Sequence, residues 1–343
     1  MKLRERGEEG VVSRLVEIIS RGWRCPRLKP GDDASCIEVG GRTLLLNIDG
    51  YSFASSMLPW MTWRDLGWKT VVAAASDLIA KGGRPLAFLV SIGVEPEQDE
   101  RVVYEIVAGA QEAAEAMGAW LAGGDTNAAV KDGWIDVAGV AEARRIIGME
   151  GGDYIALYTT IGRYGLTGLA FHILERGALE ELEKYPKAVR ATTRPEPRLK
   201  VLELYERLPD GCVVAASDVS DGLLATLERM AKLMGVPVCL ERLPPPHGEA
   251  VLYAHRVGID VSELIVRGGE EYEIVIGVKR ACITEIEKEA SRLGILLTYI
   301  GCAGSECCIS CTHTMGGTIR PKLYLKVKLP IAYTRWDQFR RWA

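Results

Sequence analysis

The chain has 343 residues, of which 48% are hydrophobic and 26% charged, and its formal net charge is −4. This composition is typical of a globular protein and excludes fibrous, disordered and strongly basic nucleic-acid-binding classes. Because single hydrophobic cores stop growing at roughly 250–300 residues, the length favours two domains. We recognise neither a secretory signal nor a run of about 18 apolar residues, so we expect a cytoplasmic protein with no nucleic-acid or membrane partner.

Strand and helix patterns alternate in the first half of the chain. Apolar spacing of about 3.6 residues predicts helices over residues 8–20 and 64–80, and a third helix that begins at Asp99. Gly40 and Gly41 predict a tight hairpin turn between two strands. The predicted strands of this half cover residues 36–39, 42–49, 87–94, 120–122 and 134–141.

The second half repeats this alternation. Its predicted strands cover residues 154–160, 213–216, 272–278 and 296–300, and its predicted helices cover 169–175, 221–233 and 281–293. Strands and helices in both halves favour an α/β (α+β) class with two sheets. We place the boundary after residue 146, which gives domains 1–146 and 147–343.

Short acidic turns beside small residues recur along the chain. The aspartates concerned are Asp33, Asp49, Asp77, Asp125, Asp218 and Asp221. Taken singly, each is compatible with ordinary turn or helix-cap chemistry. Asp77 fits that interpretation less well, because a carboxylate in the last turn of a helix faces the negative end of the helix dipole, unless Lys81 offsets it as an i,i+4 partner. As a set, these aspartates predict a cleft whose oxygen ligands hold Mg²⁺ against nucleotide phosphates.

The usual nucleotide-binding motifs are missing from the sequence. It contains no P-loop and no protein-kinase motif set, so a carboxylate and magnesium scheme for phosphoryl transfer is the one that remains. Gly162, Gly165 and Gly168 lie between a predicted strand and a predicted helix. They are compatible either with backbone N–H groups that approach a phosphate or with tight strand–helix packing.

In order and spacing, the motifs resemble those of the thiamine-monophosphate kinases. They are residues 31–34 (GDDA), Asp49, 67–69 (GWK), 76–78 (SDL), 123–126 (GGDT), 194–198 (RPEPR), 218–222 (DVSDG) and 268–273 (GGEEYE). The resemblance extends from about residue 30 to residue 339. It implies the two-domain fold of the aminoimidazole ribonucleotide synthetase superfamily, with a mixed sheet covered by helices in each domain and dimerisation through the N-terminal domains.

The resemblance also implies an activity and its residues. The activity is phosphorylation of thiamine monophosphate by ATP and Mg²⁺, with Asp33, Asp77 and Asp125 as catalytic residues. The implied metal ligands are Asp33, Asp49, Asp77, Asp125, Asp218 and Asp221. The implied ATP contacts are Gly124, Asp125, Arg145 and Ser220, and the implied acceptor contacts are Ser56, Glu270 and Trp336. A core aromatic that anchors the tail is the alternative interpretation of Trp336.

The chain departs from the family pattern at several positions. These are Asn47 and Ile48 in place of Ser and Thr, Ser56 in place of His, Ile146 in place of Arg, and Glu271 in place of Asp. Most of these differences concern the acceptor pocket, which leaves open a related ATP-dependent enzyme that acts on another small molecule. A nucleotide-binding scaffold without turnover is the non-enzymatic alternative, but the retained aspartates argue against it.

The chain has nine cysteines, which would normally be reduced thiols in the cytoplasm, although intracellular proteins of hyperthermophiles can be rich in disulfides. A late cluster comprises Cys302, Cys307, Cys308, Cys311 and His313. It predicts structural thiols or a disulfide more readily than zinc, because a second spaced cysteine pair is missing. A selenium-handling enzyme of the superfamily would instead need a reactive cysteine near the N-terminus, where Cys25 and Cys36 are the candidates. We expect no catalytic role for the late cluster.

Overall fold

The computed structural model of the chain describes residues 2–307 and 322–329. Its helices are α1 (Leu3–Ser20), α2 (Phe53–Ser56), α3 (Trp63–Ala80), α4 (Arg101–Ala116), α5 (Leu166–Glu175), α6 (Pro186–Thr193), α7 (Lys200–Arg207), α8 (Leu223–Met234), α9 (Gly248–Val257), α10 (Val261–Arg267) and α11 (Ile283–Leu293). Its strands are β1 (Ser35–Val39), β2 (Arg42–Ser52), β3 (Gly83–Val94), β4 (Trp120–Ala128), β5 (Trp134–Ala143), β6 (Ile155–Thr160), β7 (Val213–Asp218), β8 (Val238–Leu240), β9 (Ile274–Lys279), β10 (Leu297–Ala303) and β11 (Leu323–Leu325). Short 3₁₀ helices cover Leu179–Lys184 and Arg280–Cys282.

The N-terminal sheet is mixed and has the strand order β1-β2-β5-β3-β4. The β3–β4 pair is parallel and the other pairs are antiparallel. Helices α3 and α4 pack closely against each other, and Gly67 allows this because it has no side chain. A Cβ at this position would lie 1.9 Å from the carbonyl oxygen of Ile106. Thr62 caps α3 by accepting a hydrogen bond from the backbone N–H of Asp65. These contacts fix the N-terminal half of α3, and Asp77 lies in the last turn of the same helix.

The two faces of this sheet differ in polarity and cover. Along β5, buried and partly exposed side chains alternate, as a half-buried strand requires. The buried face packs against α3. On the opposite face, Ile48 of β2, Leu89 of β3 and Trp120 of β4 are 69%, 48% and 60% exposed, respectively. In the described part of the chain, this face is therefore an uncovered apolar surface.

The C-terminal sheet is also mixed, with the order β11-β8-β10-β6-β9-β7. Every residue of β6 and β7 is buried, which is typical of strands covered on both faces. Helices α5, α6, α9 and α10 contribute to a separate apolar cluster beside the sheet. The expectation of two mixed sheets covered by helices is thus confirmed.

The sheets meet along α3, whose C-terminal half contacts β7. Leu78 of α3, Ala216 of β7 and Ile274 of β9 belong to one continuous core. The strands of the first sheet end at Ala143 and those of the second begin at Ile155. The predicted division into 1–146 and 147–343 falls in this connection and stays a prediction. None of the described helices has the length and apolar character of a membrane span.

Candidate functional site

Three carboxylates from distant parts of the sequence meet where the two sheets approach each other. Asp33 lies in the turn before β1, Asp77 in the last turn of α3, and Asp218 at the end of β7. One carboxylate oxygen of each lies within 4.8 Å of the other two. Oxygen donors at such separations suit a divalent cation such as Mg²⁺. We call Asp33, Asp77 and Asp218 the acid cluster.

The unpaired atoms of the acid cluster fit a cation as well. Oδ2 of Asp218 is buried and has no hydrogen-bond partner among the described residues. A buried acceptor without a partner is costly, and a bound cation would satisfy it. The donor set therefore fits Mg²⁺ by both spacing and chemistry.

Two cations flank the acid cluster. The side chain of Lys81 is fully buried, with its Nζ 2.5 Å from Oδ1 of Asp32 and 3.4 Å from Oδ2 of Asp33. Nη2 of Arg229 in α8 lies 2.9 Å from Oδ1 of Asp33 and 3.8 Å from Oδ1 of Asp218. Buried carboxylates require such partners. Lys81 therefore pairs with Asp32 and Asp33, which replaces the i,i+4 pair with Asp77 considered from the sequence.

Burial and mutual repulsion set the protonation of the acid cluster. Burial, together with the negative charges of Asp218, Asp33 and Asp49, raises the pKa of Asp77 well above its ordinary value. Burial and the charge of Asp33 raise the pKa of Asp218 to about 7. Burial alone would also raise the pKa of Asp33, but the charges of Arg229 and Lys81 outweigh it and hold that pKa below its ordinary value. Without a metal ion, the cluster therefore favours partial protonation near neutral pH.

Two further predicted ligands lie near the acid cluster. Asp49 is on the same sheet face as α3, and its Oδ1 accepts a hydrogen bond from the N–H of Gly50 at 2.8 Å. Burial, with the charges of Asp221 and Glu270 nearby, raises the pKa of Asp49 to about 6. Asp221 is exposed and does not cap α8, since Gly222 holds the N-cap position. The helix-cap interpretation of Asp221 is wrong, which leaves its carboxylate available to the cleft.

A second polar group lies at the Asp49 end of the cleft. Nζ of Lys69 in α3 is 2.7 Å from Oε2 of Glu270, and it lies 4.9 Å from the centre of the Tyr51 ring. The hydroxyl groups of Tyr51 and Tyr272 are hydrogen-bonded at 2.7 Å. Only 2% of the Lys69 side chain is exposed. We call Lys69, Glu270, Tyr51 and Tyr272 the lysine–tyrosine group.

The loop that carries Glu270 has an unusual backbone conformation. Glu270 and Tyr272 have φ values of 61° and 48°, in the left-handed region that non-glycine residues rarely adopt. Their N–H groups donate to the carbonyl oxygens of Ser220 at 2.5 Å and Val219 at 2.9 Å. The Asp218–Asp221 turn and the Glu270 loop are thus locked together, and such strained positions are common at functional sites.

Buried ion pairs hold the same loop from behind. The carboxylate of Glu273 has no solvent exposure and accepts hydrogen bonds from Nε of Arg198 at 2.7 Å and from Oγ1 of Thr160 at 2.6 Å. Arg163 donates through Nη2 to the carbonyl oxygen of Tyr272 at 3.0 Å. Glu271 instead accepts from Oγ1 of Thr167 in α5 at 2.9 Å, and burial raises its pKa to about 8. The 194–198 and 268–273 motifs therefore form one framework.

The structure separates Asp125 and Gly124 from the acid cluster. Both lie on the edge strand β4, and Asp125 pairs in register with Ser91 on the sheet face opposite to Asp49. The Oδ2 of Asp125 accepts a hydrogen bond from Asn127 at 3.0 Å. Gly124 is required by packing, since a Cβ there would lie 2.0 Å from the oxygen of Val90. Within one chain, Asp125 does not join the other acids.

Arg145 also lies apart from the acid cluster in its contacts. Its Nη1 donates to the carbonyl oxygens of Tyr205 at 2.6 Å and Leu208 at 2.7 Å, and its Nη2 is 2.5 Å from Oδ1 of Asp210. These contacts satisfy carbonyl groups at the C-terminal end of α7, which need donors. The arginine at the acid cluster is Arg229, and a phosphate contact by Arg145 stays a prediction.

The remaining predicted residues have simpler positions. Ser56 is buried at the end of α2, with its Oγ 3.1 Å from Oγ of Ser55. Trp336 lies outside the described residues. Gly168 lets α5 approach α10, because a Cβ there would lie 1.9 Å from the oxygen of Leu264, which supports the packing interpretation of the 162–168 glycines.

Six of the seven described cysteines form disulfides. The pairs are Cys25–Cys36, Cys212–Cys282 and Cys302–Cys307. The disulfide expected in the late cluster is thus confirmed for its first two members, and the other three, Cys308, Cys311 and His313, lie outside the described residues. Because the two N-terminal cysteines are bonded to each other, they do not offer the free thiol that the selenium-handling alternative requires.

Six side chains of the site were not given their roles from the sequence. They are Asp32, Tyr51, Lys69, Lys81 as the partner of Asp32, Arg229 and Tyr272. Lys69 was visible only as part of a motif, without a role. A usable signal was that Lys69 and Asp77 share one helix, while Arg229 lies on the helix that follows Asp221.

Comparisons with known proteins find relatives of this chain in sequence and in fold. Residues 31–143 match the family model described as AIR synthase related protein, N-terminal domain. A thiamine-monophosphate kinase of Pyrobaculum calidifontis is 35% identical over 71% of this chain and 76% of its own length. The crystal structure of tt0281 from Thermus thermophilus is 33% identical, with a TM-score of 0.82 over 96% of this chain and 100% of that one. AaThiL complexed with AMPPCP and TMP has the same fold, with a TM-score of 0.80 and 23% identity over 98% of this chain and 99% of its own. This chain belongs to the thiamine-monophosphate kinase family.

Proposed function

We propose that the protein transfers the γ-phosphoryl group of ATP to the phosphate of thiamine monophosphate, which gives thiamine diphosphate and ADP. The observation that carries this proposal is the acid cluster of Asp33, Asp77 and Asp218, within 4.8 Å of one another, in a member of this family. Phosphoryl transfer asks a protein mainly for positioning and charge neutralisation, and the cleft offers groups for both tasks.

We propose Mg²⁺ as the cation held by the acid cluster. When bound, Mg²⁺ would neutralise charge on the phosphates. Asp49 and Asp221, which lie near each other, extend the carboxylate surface beyond the cluster. The fixed hydrogen bond from Gly50 to Asp49 orients one of these carboxylates in advance. Ser220, in the turn between Asp218 and Asp221, stays our proposed ATP contact.

The lysine–tyrosine group is our proposed acceptor end of the cleft. The ammonium group of Lys69 is buried beside Glu270, where an anionic acceptor phosphate would find a cation that water screens little. Ser56 can donate one hydrogen bond to the acceptor in place of the family's histidine. We propose that domain 1–146 supplies most of the metal and ATP contacts, and that domain 147–343 completes the cleft through Asp218 and Glu270.

We propose that the protein is a homodimer through the uncovered face of the N-terminal sheet. Ile48, Leu89 and Trp120 expose apolar surface there, and large uncovered apolar surfaces commonly mark interfaces. Asp125 lies on the same face, so an ATP or metal role of Asp125 would belong to the assembled dimer.

Light scattering tests the dimer. We expect twice the chain mass of 37.5 kDa, and Ile48→Arg should give the single-chain mass. Leu252→Arg is the matched control, since Leu252 of α9 is 69% exposed like Ile48 but lies on the other domain. A single-chain mass of the unaltered protein at micromolar concentration would refute the interface.

We propose that the protein works in the cytoplasm. ATP is available there, and disulfides occur in the cytoplasmic proteins of some hyperthermophiles.

Product analysis tests the activity. The protein is incubated with ATP, Mg²⁺ and thiamine monophosphate, and thiamine diphosphate and ADP are separated by chromatography, beside a Ser56→His variant. We expect thiamine diphosphate from both, with a lower KM for the acceptor in the variant. The alternative function, an aminoimidazole ribonucleotide synthetase-related enzyme with another small-molecule acceptor, would be supported if neither forms thiamine diphosphate while an amide or carbonyl acceptor stimulates ADP release.

A further inference from the structure

Arg229 is the more exposed of the two cations beside the acid cluster. Its Nη2 is 2.9 Å from Oδ1 of Asp33, 3.8 Å from Oδ1 of Asp218, and donates to Oγ of Ser217 at 2.9 Å. Two of the three carboxylates with metal-site geometry therefore already face a positive charge. The oxygen that Asp33 offers to Arg229 belongs to the same carboxylate that would bind a metal ion.

We propose that Arg229 is a built-in competitor of the metal ion, which makes the site select a metal–polyphosphate complex over the free cation. This inference rests on the proposed metal site and adds a residue that sets its selectivity. While no cation is bound, the guanidinium neutralises Asp33 and Asp218. A divalent ion that arrives alone must bind beside this positive charge, and the repulsion between them weakens its affinity.

The local structure allows Arg229 to leave the acid cluster. Its side chain is 28% exposed, and its buried Nε has no hydrogen-bond partner among the described residues. Lys81 behaves differently, because it is fully buried and its Nζ also donates to the carbonyl oxygen of Ala216 at 2.6 Å. Lys81 is thus the fixed counter-ion of the cluster, and Arg229 is the one that can turn towards the cleft.

A nucleoside polyphosphate changes the balance at this site. Its phosphate oxygens bring negative charge with the metal ion and give the guanidinium a new bidentate partner. The repulsion that opposes the free cation is then replaced by an attraction to the phosphates. Metal and polyphosphate therefore bind with positive coupling, and the coupling depends on the charge at position 229.

Binding of Mn²⁺, followed by electron paramagnetic resonance without acceptor or turnover, tests this proposal. We expect Arg229→Gln to bind free Mn²⁺ about tenfold more tightly than the unaltered protein, because the competing charge is gone. Arg229→Lys keeps the charge and should bind free Mn²⁺ as weakly as the unaltered protein. Lys232→Gln removes a positive charge from the same helix, three residues on, and controls for a general change of potential.

The polyphosphate arm uses the non-hydrolysable analogue AMPPCP. Saturating AMPPCP should increase the affinity for Mn²⁺ in both proteins. The factor of this increase should be at least about tenfold larger in the unaltered protein than in Arg229→Gln. Equal or weaker binding of free Mn²⁺ by a folded Arg229→Gln variant would overturn the proposal, as would the absence of coupling in the unaltered protein. Asp77→Asn separates failure of this proposal from failure of the proposed metal site. If that variant binds Mn²⁺ as the unaltered protein does, the metal site itself is misassigned.

Discussion

At the scale of single residues, the acid cluster brings together three carboxylates whose negative charges repel one another. Among the described residues, only two cations, Lys81 and Arg229, flank it. Asp77 and Asp218 have raised pKa values because they are buried beside other acids, whereas Asp33 has a lowered one because Arg229 and Lys81 overcome its burial. A site with this balance gains charge complementarity when a divalent cation binds, and binding should release protons.

The first prediction concerns stability and pH. Asp218 and Asp49 have folded-state pKa values of about 7 and about 6, above the ordinary 3.8, so the folded protein retains protons that the unfolded chain has released. Their contribution to stability is greatest below about pH 4 and is lost as the pH rises to about 7. Mg²⁺ should offset this loss. The difference in Tm between Mg²⁺ and EDTA should therefore widen from about pH 5 to about pH 8.

Differential scanning calorimetry across this pH range checks the first prediction. Asp218→Asn removes one titrating group, so the difference in Tm between Mg²⁺ and EDTA should depend less on pH in this variant. A difference in Tm that stays constant, or shrinks as the pH rises, would contradict our account of the cluster.

The second prediction concerns Lys69. Lys69→Met keeps most of the apolar stem but removes the ammonium group that lies 2.7 Å from Glu270. We expect the KM for thiamine monophosphate to rise about tenfold to a hundredfold, because hydrogen bonds to buried charges are strong, with little change in the KM for ATP. Steady-state kinetics measure both constants. Arg64→Met on the same helix is the control, and equal effects on both KM values would place Lys69 elsewhere in the mechanism.

At the scale of helices and strands, the long helices and most strands could be predicted from the sequence, whereas several short helices could not. The helix predicted over 64–80 is Trp63–Ala80, because its pattern is strong and Thr62 caps it. The strand predicted over 120–122 extends to Ala128, since the glycines that look like a turn lie in an edge strand. Helices α6, α7, α9 and α10, of seven to ten residues, were not predicted, and helices this short depend on tertiary packing.

The same limit explains which site residues could be predicted. Acidic turns beside small residues are visible in the sequence, so Asp33, Asp77 and Asp218 were grouped with Asp49, Asp125 and Asp221. The sequence did not show that Asp125 lies on the other face of the sheet. The ion-pair partners Lys81 and Arg229 could not be predicted, because the choice between neighbouring carboxylates depends on how α3 and α8 pack.

The third prediction concerns the contact between α3 and α4. A Cβ on Gly67 would lie 1.9 Å from the carbonyl oxygen of Ile106, so Gly67→Ala should force the helices apart. We expect the free energy of unfolding to fall by about 1–3 kcal/mol or more. Chemical denaturation measures it. Gly248→Ala is the matched control, since nothing lies within 4 Å of a Cβ there, and equal stabilities of the two variants would contradict the packing argument.

At the scale of the whole molecule, two sheets share one continuous core, and the candidate site lies where they meet. Asp33 and Asp77 come from the N-terminal half, whereas Asp218 and Arg229 come from the C-terminal half. Any change in how the halves pack therefore alters the candidate site. The fold and a cleft lined by aspartates were expected from the sequence, but which of the aspartates lie together required the structure.

The fourth prediction concerns the disulfides. Cys212–Cys282 joins residues 70 apart in sequence, which connects the start of β7 to the start of α11. In the chain-entropy model, a loop of this size corresponds to roughly 4 kcal/mol of stability, and the Cys25–Cys36 loop to roughly 3 kcal/mol. The double substitution Cys212→Ser, Cys282→Ser should lower Tm under non-reducing conditions. A reductant should lower the Tm of this variant less than it lowers the Tm of the unaltered protein. If the variant has the same Tm as the unaltered protein under non-reducing conditions, the disulfide does not stabilise the fold.

We propose above that the acid cluster holds the metal ion for phosphoryl transfer to thiamine monophosphate. The most direct measurement is the rate of thiamine diphosphate formation by Asp77→Asn, titrated with Mg²⁺ and followed by chromatography, with circular dichroism to verify the fold. We predict a folded variant whose rate falls at least about a hundredfold and whose dependence on Mg²⁺ shifts to higher concentration. A folded Asp77→Asn protein with an unchanged rate and an unchanged Mg²⁺ dependence would contradict the claim.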